Sequence, residues 1–157
     1  MILSHMTLEE LTGHEAGRRL LRKSYRFETG NSLPELRIAE GGKPYIPDSP
    51  WHFSISHTKH HAFCAFGLHP VGLDAEEVDR DINLALAEKI LSPSEREQFD
   101  AAEDKRRALL TFWVLKEAQA KLTGKGLRGY PNHTNFRLDD PRVEEIEGCL
   151  VAMLIGD

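Results

Sequence analysis

Two stretches of the chain place apolar side chains at helical spacing. From Phe112 to Gly126 the sequence reads F-W-V-L-K-E-A-Q-A-K-L-T-G-K-G, with Phe112, Trp113, Leu115, Ala118 and Leu122 recurring near one face. Thr123-Gly124 supplies a stop where a left-handed residue closes the last turn, and the helix is expected to begin near Asp104. The other stretch runs from about Thr7 to Phe27, with Leu8, Leu11, Leu20, Leu21 and Tyr25 as its buried stripe. Gly13 and Gly17 weaken it, so two short helices or one interrupted helix are expected. Leu84, Leu86, Ala87, Ile90 and Leu91 suggest a further helix, and Ser92-Pro93-Ser94-Glu95 reads as a capping box opening one from Pro93 toward Ala102.

Elsewhere the pattern shortens to strand spacing. Phe53 and Ile55 alternate with His52, Ser54 and Ser56, and Lys59-His60-His61 turns the chain into a second strand over Ala62 to Gly67. His69-Pro70 breaks that strand, and Val71 to Glu76 makes the next one. Leu36 to Ile38 forms a short strand, and Pro44, Pro47 and Pro50 then forbid helix and leave Lys43 on a rigid loop. After a loop with Gly129 and Pro131, a strand is expected around Asn135 to Leu138, followed by a closing hairpin of Val143–Ile146 and Cys149–Ile155.

Composition narrows the class. The 157 residues suit one domain, or two small halves sharing a core. Met1 to Glu10 lacks the basic region of a signal peptide, and no run approaches a membrane span, so a cytoplasmic protein is expected. Cys64 and Cys149, far apart in apolar contexts, read as reduced core residues. A net charge of −5 argues against a general nucleic-acid binder. Basic segments at Arg18–Arg26 and Lys105–Arg128 flank an acidic middle from Asp74 to Asp104, which suits a polyanionic small molecule or an acidic protein partner as well as plain solvated faces.

The candidate chemistry is carboxylate and amine. Asp74 and Glu76, two apart on one strand, project to the same face. Glu117 and Lys121 stand four apart on the long helix, with Lys116 beside them. Taken alone, a solvated strand end and a surface Glu–Lys pair are the commoner meanings. Together, three carboxylates supply the oxygen ligands that magnesium prefers, with positions left for phosphate and water. His52, His57, His60 and His61 are compatible with a zinc cluster, although a histidine-rich turn is more often simply polar.

Four segments occur in order: Gly41-Gly42-Lys43-Pro44, Phe53-Ser54-Ile55-Ser56-His57-Thr58, Gly72-Leu73-Asp74-Ala75-Glu76, and Trp113-Val114-Leu115-Lys116-Glu117-Ala118-Gln119-Ala120-Lys121-Leu122-Thr123-Gly124-Lys125-Gly126-Leu127. Together they resemble the 4'-phosphopantetheinyl transferases, in particular the type that activates peptide and polyketide synthetases. The tryptophan before the lysine and the serine-histidine turn side with that type over the smaller fatty-acid carrier synthases. The resemblance implies an α+β fold of one domain over residues 1–157, with two pseudo-symmetric halves at about 1–70 and 71–157. Each half would be a small antiparallel sheet with a packed helix, and coenzyme A would bind between them. It implies transfer of 4'-phosphopantetheine from coenzyme A to a serine of an acyl, peptidyl or polyketide carrier protein, with Mg2+ and with release of adenosine 3',5'-bisphosphate. By position, Asp74, Glu76 and Glu117 would bind the metal. Glu117 would act as general base and Lys121 would lie near the pyrophosphate or leaving group. Lys116 would add a phosphate contact, Lys43, Ser56 and His57 would hold the nucleotide end, and Arg18 would reach a further phosphate.

The pattern departs from the family at the front. Such proteins usually begin with a strand and a basic segment before the helix that here starts near Glu15, and the first residues of this chain offer almost nothing in that role. Three readings stay open: a dispensable strand, an edge covered by another subunit, or a reduced relative of weak activity. Monomer and homodimer are both expected states. Two rival functions also stay open, a non-catalytic module that binds coenzyme A or a carrier protein, and a metal-dependent hydrolase of a phosphoanhydride.

Overall fold

A computed structural model describes residues 1–126 and 133–157; Leu127, Arg128 and the expected loop with Gly129 and Pro131 lie outside them. Strands β1 (Ile2–Thr7), β4 (His52–His57) and β5 (His61–Gly67) form one antiparallel sheet in the order β1-β5-β4. Strands β6 (Val71–Glu77), β7 (Val143–Ile146) and β8 (Cys149–Ile155) form another in the order β6-β8-β7. Helix α1 (Gly13–Thr29) packs on the first sheet and α4 (Lys105–Thr123) on the second. A two-stranded ribbon of β2 (Arg37–Ile38) and β3 (Pro44–Tyr45) carries the loop with Lys43. The α+β expectation of two sheet-plus-helix units therefore holds. Among the described residues, no helix is long and apolar enough to cross a membrane.

Several expectations are corrected. The front of the chain is a strand: β1 runs along β5 in a continuous register from Ile2 opposite Phe66 to Thr7 opposite His61. Leu8 and Leu11, read as helical, lie in the turn before α1 and pack half-buried on the first core. Helix α1 is uninterrupted, because Thr12 caps it in a reciprocal box in which its hydroxyl accepts from Glu15 N at 3.1 Å and its own N–H donates to Glu15 Oε2 at 2.8 Å. Gly13 and Gly17 are contact points: a Cβ at Gly13 would overlap the His57 imidazole, and one at Gly17 would overlap Ile55. The absent side chains let α1 lie close on β4.

The expected helix over Leu84–Leu91 is a 3-10 turn at Leu84–Leu86 followed by a single helical turn, α2 (Ala87–Ile90). Helix α3 (Pro93–Ala101) starts at the expected Ser92 capping box, and α4 begins after Asp104, whose side chain accepts from Arg107 N. Residues 135–138 join no ladder, and Leu138 lies in a turn. Their backbone groups turn to side chains of α3 instead: Phe136 N donates to Glu95 Oε2, Leu138 N to Gln98 Oε1, and Gln98 Nε2 to Phe136 O.

Among the described residues, three apolar clusters fill the interior. One surrounds α1 and one surrounds α4, where Leu109, Leu110, Phe112, Val114 and Leu115 are fully buried. The third lies between the sheets, Phe63 and Ala65 of β5 against Leu73, Ala75, Cys149 and Val151. The sheets meet edge to edge through side chains: Leu73 N donates to Ser54 Oγ at 3.0 Å and Ala75 N to Ser56 Oγ at 3.1 Å. The amides on the free side of β6 thus find hydroxyls of β4 where a neighbouring strand would have offered carbonyls.

Candidate active site

The site gathers on the face of β6 that α4 covers. Gly72 permits the close approach, since a Cβ there would collide with the backbone of Ala118 and Leu122. Two residues on, the same face presents Asp74, and two further Glu76; α4 brings Glu117 and Lys121 over them. Asp74 is buried. Its Oδ1 accepts from Lys121 Nζ at 2.9 Å and Ser56 Oγ at 3.1 Å, while its Oδ2 is buried without a hydrogen-bond partner among the described residues. Glu76 accepts from Arg80 at 2.6 Å, and Arg80 also lies over the Trp113 ring.

The three carboxylates share a partly dehydrated patch. Burial raises the Asp74 carboxyl above the ordinary range against the opposing pull of Lys121 and Ser56. Burial also raises Glu76, with Arg80 opposing and Asp74 adding to the rise. Burial raises Glu117, and the Asp74 and Glu76 charges push it further up while Lys121 and Arg80 oppose them. A cluster of hard oxygens that holds protons this readily, with one buried oxygen unpartnered, fits a divalent cation such as magnesium. The carboxylate oxygens do not all lie within 4.8 Å of one another, because Asp74 leans to Lys121 and Glu76 to Arg80.

A cavity of about 280 Å³ opens beside the carboxylates, lined by Gly41, Gly42, Lys43, Ile55, Glu117 and Lys121, among others. Gly41 abuts the end of α4, where its Cβ would meet the carbonyl of Gly124, and Gly124 closes the helix with φ 71°. Lys43 Nζ donates to Val71 O at 2.8 Å and Lys121 Nζ to Leu73 O at 2.9 Å, so two ammonium groups lie next to each other along one edge of the same strand. Burial lowers Lys43, and the neighbouring Lys121 charge lowers it further. An anion between these lysines would relieve that repulsion.

The structure brings Lys43, Asp74, Glu76, Glu117 and Lys121 together, but not every expected residue. Lys116 points the other way around α4 into a buried pair with Glu95 at 2.6 Å, and it also donates to Thr134. Lys116, expected at a phosphate, thus has its amine engaged by Glu95 and Thr134 on the far side of the helix. Ser56, expected at the nucleotide, has its hydroxyl taken up by Asp74 and Ala75 N inside the seam. His57 is exposed at the end of β4 over Gly13, and Arg18 is half-buried on α1 without an ion pair among the described residues. Of the four histidines of the expected cluster, His61 alone belongs to a group with metal-ligand spacing among the described residues. Arg80 was missed, since its spacing from Glu76 carries meaning on a helix and here the chain turns between them.

Residues 70–151 match the family model of the 4'-phosphopantetheinyl transferase superfamily. The chain is 36% identical over 108 residues to 4'-phosphopantetheinyl transferase Sfp of Bacillus subtilis, covering 66% of this chain and 47% of that protein. It is 34% identical over 132 residues to 4'-phosphopantetheinyl transferase gsp of Aneurinibacillus migulanus, covering 81% and 54%. The chain spans about half the length of these curated relatives. Among solved structures, Thermotoga maritima holo-[acyl-carrier-protein] synthase aligns with a TM-score of 0.40 at 26% identity, covering 55% of this chain and 61% of that one.

Proposed function

The chain belongs to the 4'-phosphopantetheinyl transferase superfamily, and on that premise we propose that it transfers 4'-phosphopantetheine from coenzyme A to a serine of a carrier protein. The observation that carries the reading is the buried Oδ2 of Asp74, unpartnered among the described residues, within a group of three carboxylates and beside two lysines. Asp74, Glu76 and Glu117 are the residues that would hold Mg2+. When bound, the ion supplies positive charge for the pyrophosphate oxygens.

The remaining roles follow from the side chains. Lys43 and Lys121 line the cavity side by side along one edge of β6 and would bind the pyrophosphate, where charge gathers in the transition state. Glu117, half-buried and raised in pKa, is suited to take the proton of the attacking serine hydroxyl. The serine oxygen forms a bond to the β-phosphorus, the bridging P–O bond breaks, and adenosine 3',5'-bisphosphate departs. His57 and Arg18 lie toward α1 and would reach the nucleotide end. Ser56 holds Asp74 in place, and Lys116 holds α4 against α3.

Incubation with an apo carrier protein, coenzyme A and Mg2+ should raise the carrier's mass by one phosphopantetheine. Glu117→Ala should abolish that gain while coenzyme A still binds. No mass gain across peptide, polyketide and fatty-acid carriers would overturn the reading.

A further inference from the structure

A separate constellation lies on the opposite face of β6. Glu77 points away from the carboxylate site and is the register partner of Cys149 on β8. His61, at the start of β5, reaches across the seam from the other sheet. Among the described residues, these three form the group of His, Cys and acidic side chains whose donor atoms all lie within 4.8 Å of one another. His61 Nδ1 is 3.7 Å from Cys149 Sγ and 3.9 Å from Glu77 Oε1.

We propose that His61, Glu77 and Cys149 form a second metal site, for a borderline divalent transition ion such as zinc, that clips the two sheets together. Tetrahedral zinc with ordinary bond lengths needs a sulfur–nitrogen edge of about 3.6 Å and a nitrogen–oxygen edge of about 3.4 Å. The first distance is already met and the second needs a shift of about half an ångström. A thiolate with an imidazole selects zinc or cobalt over magnesium, so the two metal sites would not compete.

The surroundings favour a site with fixed ligands. Glu77 Oε1 accepts from Thr58 Oγ1 at 3.0 Å and His60 N at 2.9 Å, and His61 N donates to the same threonine hydroxyl at 3.0 Å. Thr58 and the turn thus orient two of the three ligands. Cys149 is fully buried, whereas the side chains of His61 and Glu77 are 15% and 16% exposed, so an ion enters from solvent over them and keeps a fourth position open there. Burial pushes the Cys149 thiol up to about 11, so at neutral pH metal binding releases one thiol proton to solvent as the sulfur–metal bond forms.

The test is titration of the full, reduced chain with Co2+ in the presence of excess Mg2+, followed by absorption. One equivalent should produce a thiolate-to-cobalt charge-transfer band in the near ultraviolet, which oxygen ligands of the carboxylate site cannot give. Zn2+ should displace the cobalt and, at a hundredfold excess over Kd, raise Tm by roughly 5–10 °C. Cys149→Ser should abolish the band and the Tm rise. His61→Gln and Glu77→Gln, at partly exposed positions, should weaken both by at least tenfold in Kd, and Cys64→Ser should leave them unchanged. Absence of the band in the parent chain, or its persistence in Cys149→Ser, overturns the proposal and leaves a plain thiol–imidazole contact. The outcome is independent of whether the carrier-protein reaction occurs.

Discussion

Replacing Lys116 and Lys121 in turn by methionine separates two lysines of one helix with different work. Lys116 is 2% exposed and Glu95 is 0% exposed, and their atoms meet at 2.6 Å. Removing one partner of a buried pair leaves the other charge uncompensated, at about 3–5 kcal/mol. Glu95 keeps hydrogen bonds from Ser92 N, Phe136 N and Thr134, so the lower part of that range is expected. For a chain of this length the loss corresponds to a fall in Tm of about 6–15 °C. Lys121 instead has a side chain that is 32% exposed, so its loss, which leaves the buried Asp74 carboxylate with Ser56, should cost about 1–3 kcal/mol in stability but lower carrier modification by about two to three orders of magnitude. Urea unfolding would give the stabilities, and single-turnover transfer below both melting points would give the rates. Changing Glu95 and Lys116 together to methionine should recover part of the lost stability. The reasoning fails if Lys116→Met unfolds within 1 kcal/mol of the parent, or if Lys121→Met is the less stable of the two while transferring normally.

Other consequences are open to direct measurement. Ser56→Ala leaves the buried Ala75 N–H without its acceptor and should cost about 1–3 kcal/mol in urea denaturation, so a change below 0.5 kcal/mol would contradict the bond. Gly72→Ala should destabilise more than Gly17→Ala, since the first sets a methyl against backbone and the second against a movable isoleucine side chain; about 1–3 kcal/mol is expected for Gly17→Ala, and the order is read from thermal melts. Burial pushes the Cys64 thiol from 9.0 up to about 12, so at pH 8 its alkylation should run about a thousandfold slower than that of a free thiol from the thiolate fraction alone, which mass spectrometry over time would show. A rate within tenfold of glutathione at that pH would mean that the site opens readily.

Much of this arrangement is legible in the sequence because it rests on short periodicities. Asp74 and Glu76 share a face by the two-residue repeat of a strand, and the Ser92 box and the Asp104 start of α4 follow from capping chemistry. The different direction of Lys116 is legible on the same basis. At about 100° per residue, Lys121 lies about 40° from Glu117 whereas Lys116 lies about 100° away, so only one of them shares its face. β1 was hidden because I-L-S-H-M-T lacks clean alternation, and the following leucines imitate a helical stripe. Residues 135–138 have strand composition, yet the nearest partners for their backbone are side chains of α3, and no local pattern reports such a long-range choice. The Ser54 and Ser56 bridges are equally non-local, since the sequence shows alternate serines facing out without showing that another sheet lies there.

Those serine bridges have a consequence for hydrogen exchange. The amides of Leu73 and Ala75 are protected by hydroxyls, which release them by a rotamer change, whereas the amides between β6 and β8 are released only when strands part. Two neighbouring classes of proton on one strand therefore report different openings. If the sheets move apart when substrate enters, Leu73 and Ala75 will exchange faster while the β6–β8 ladder keeps its slow rate.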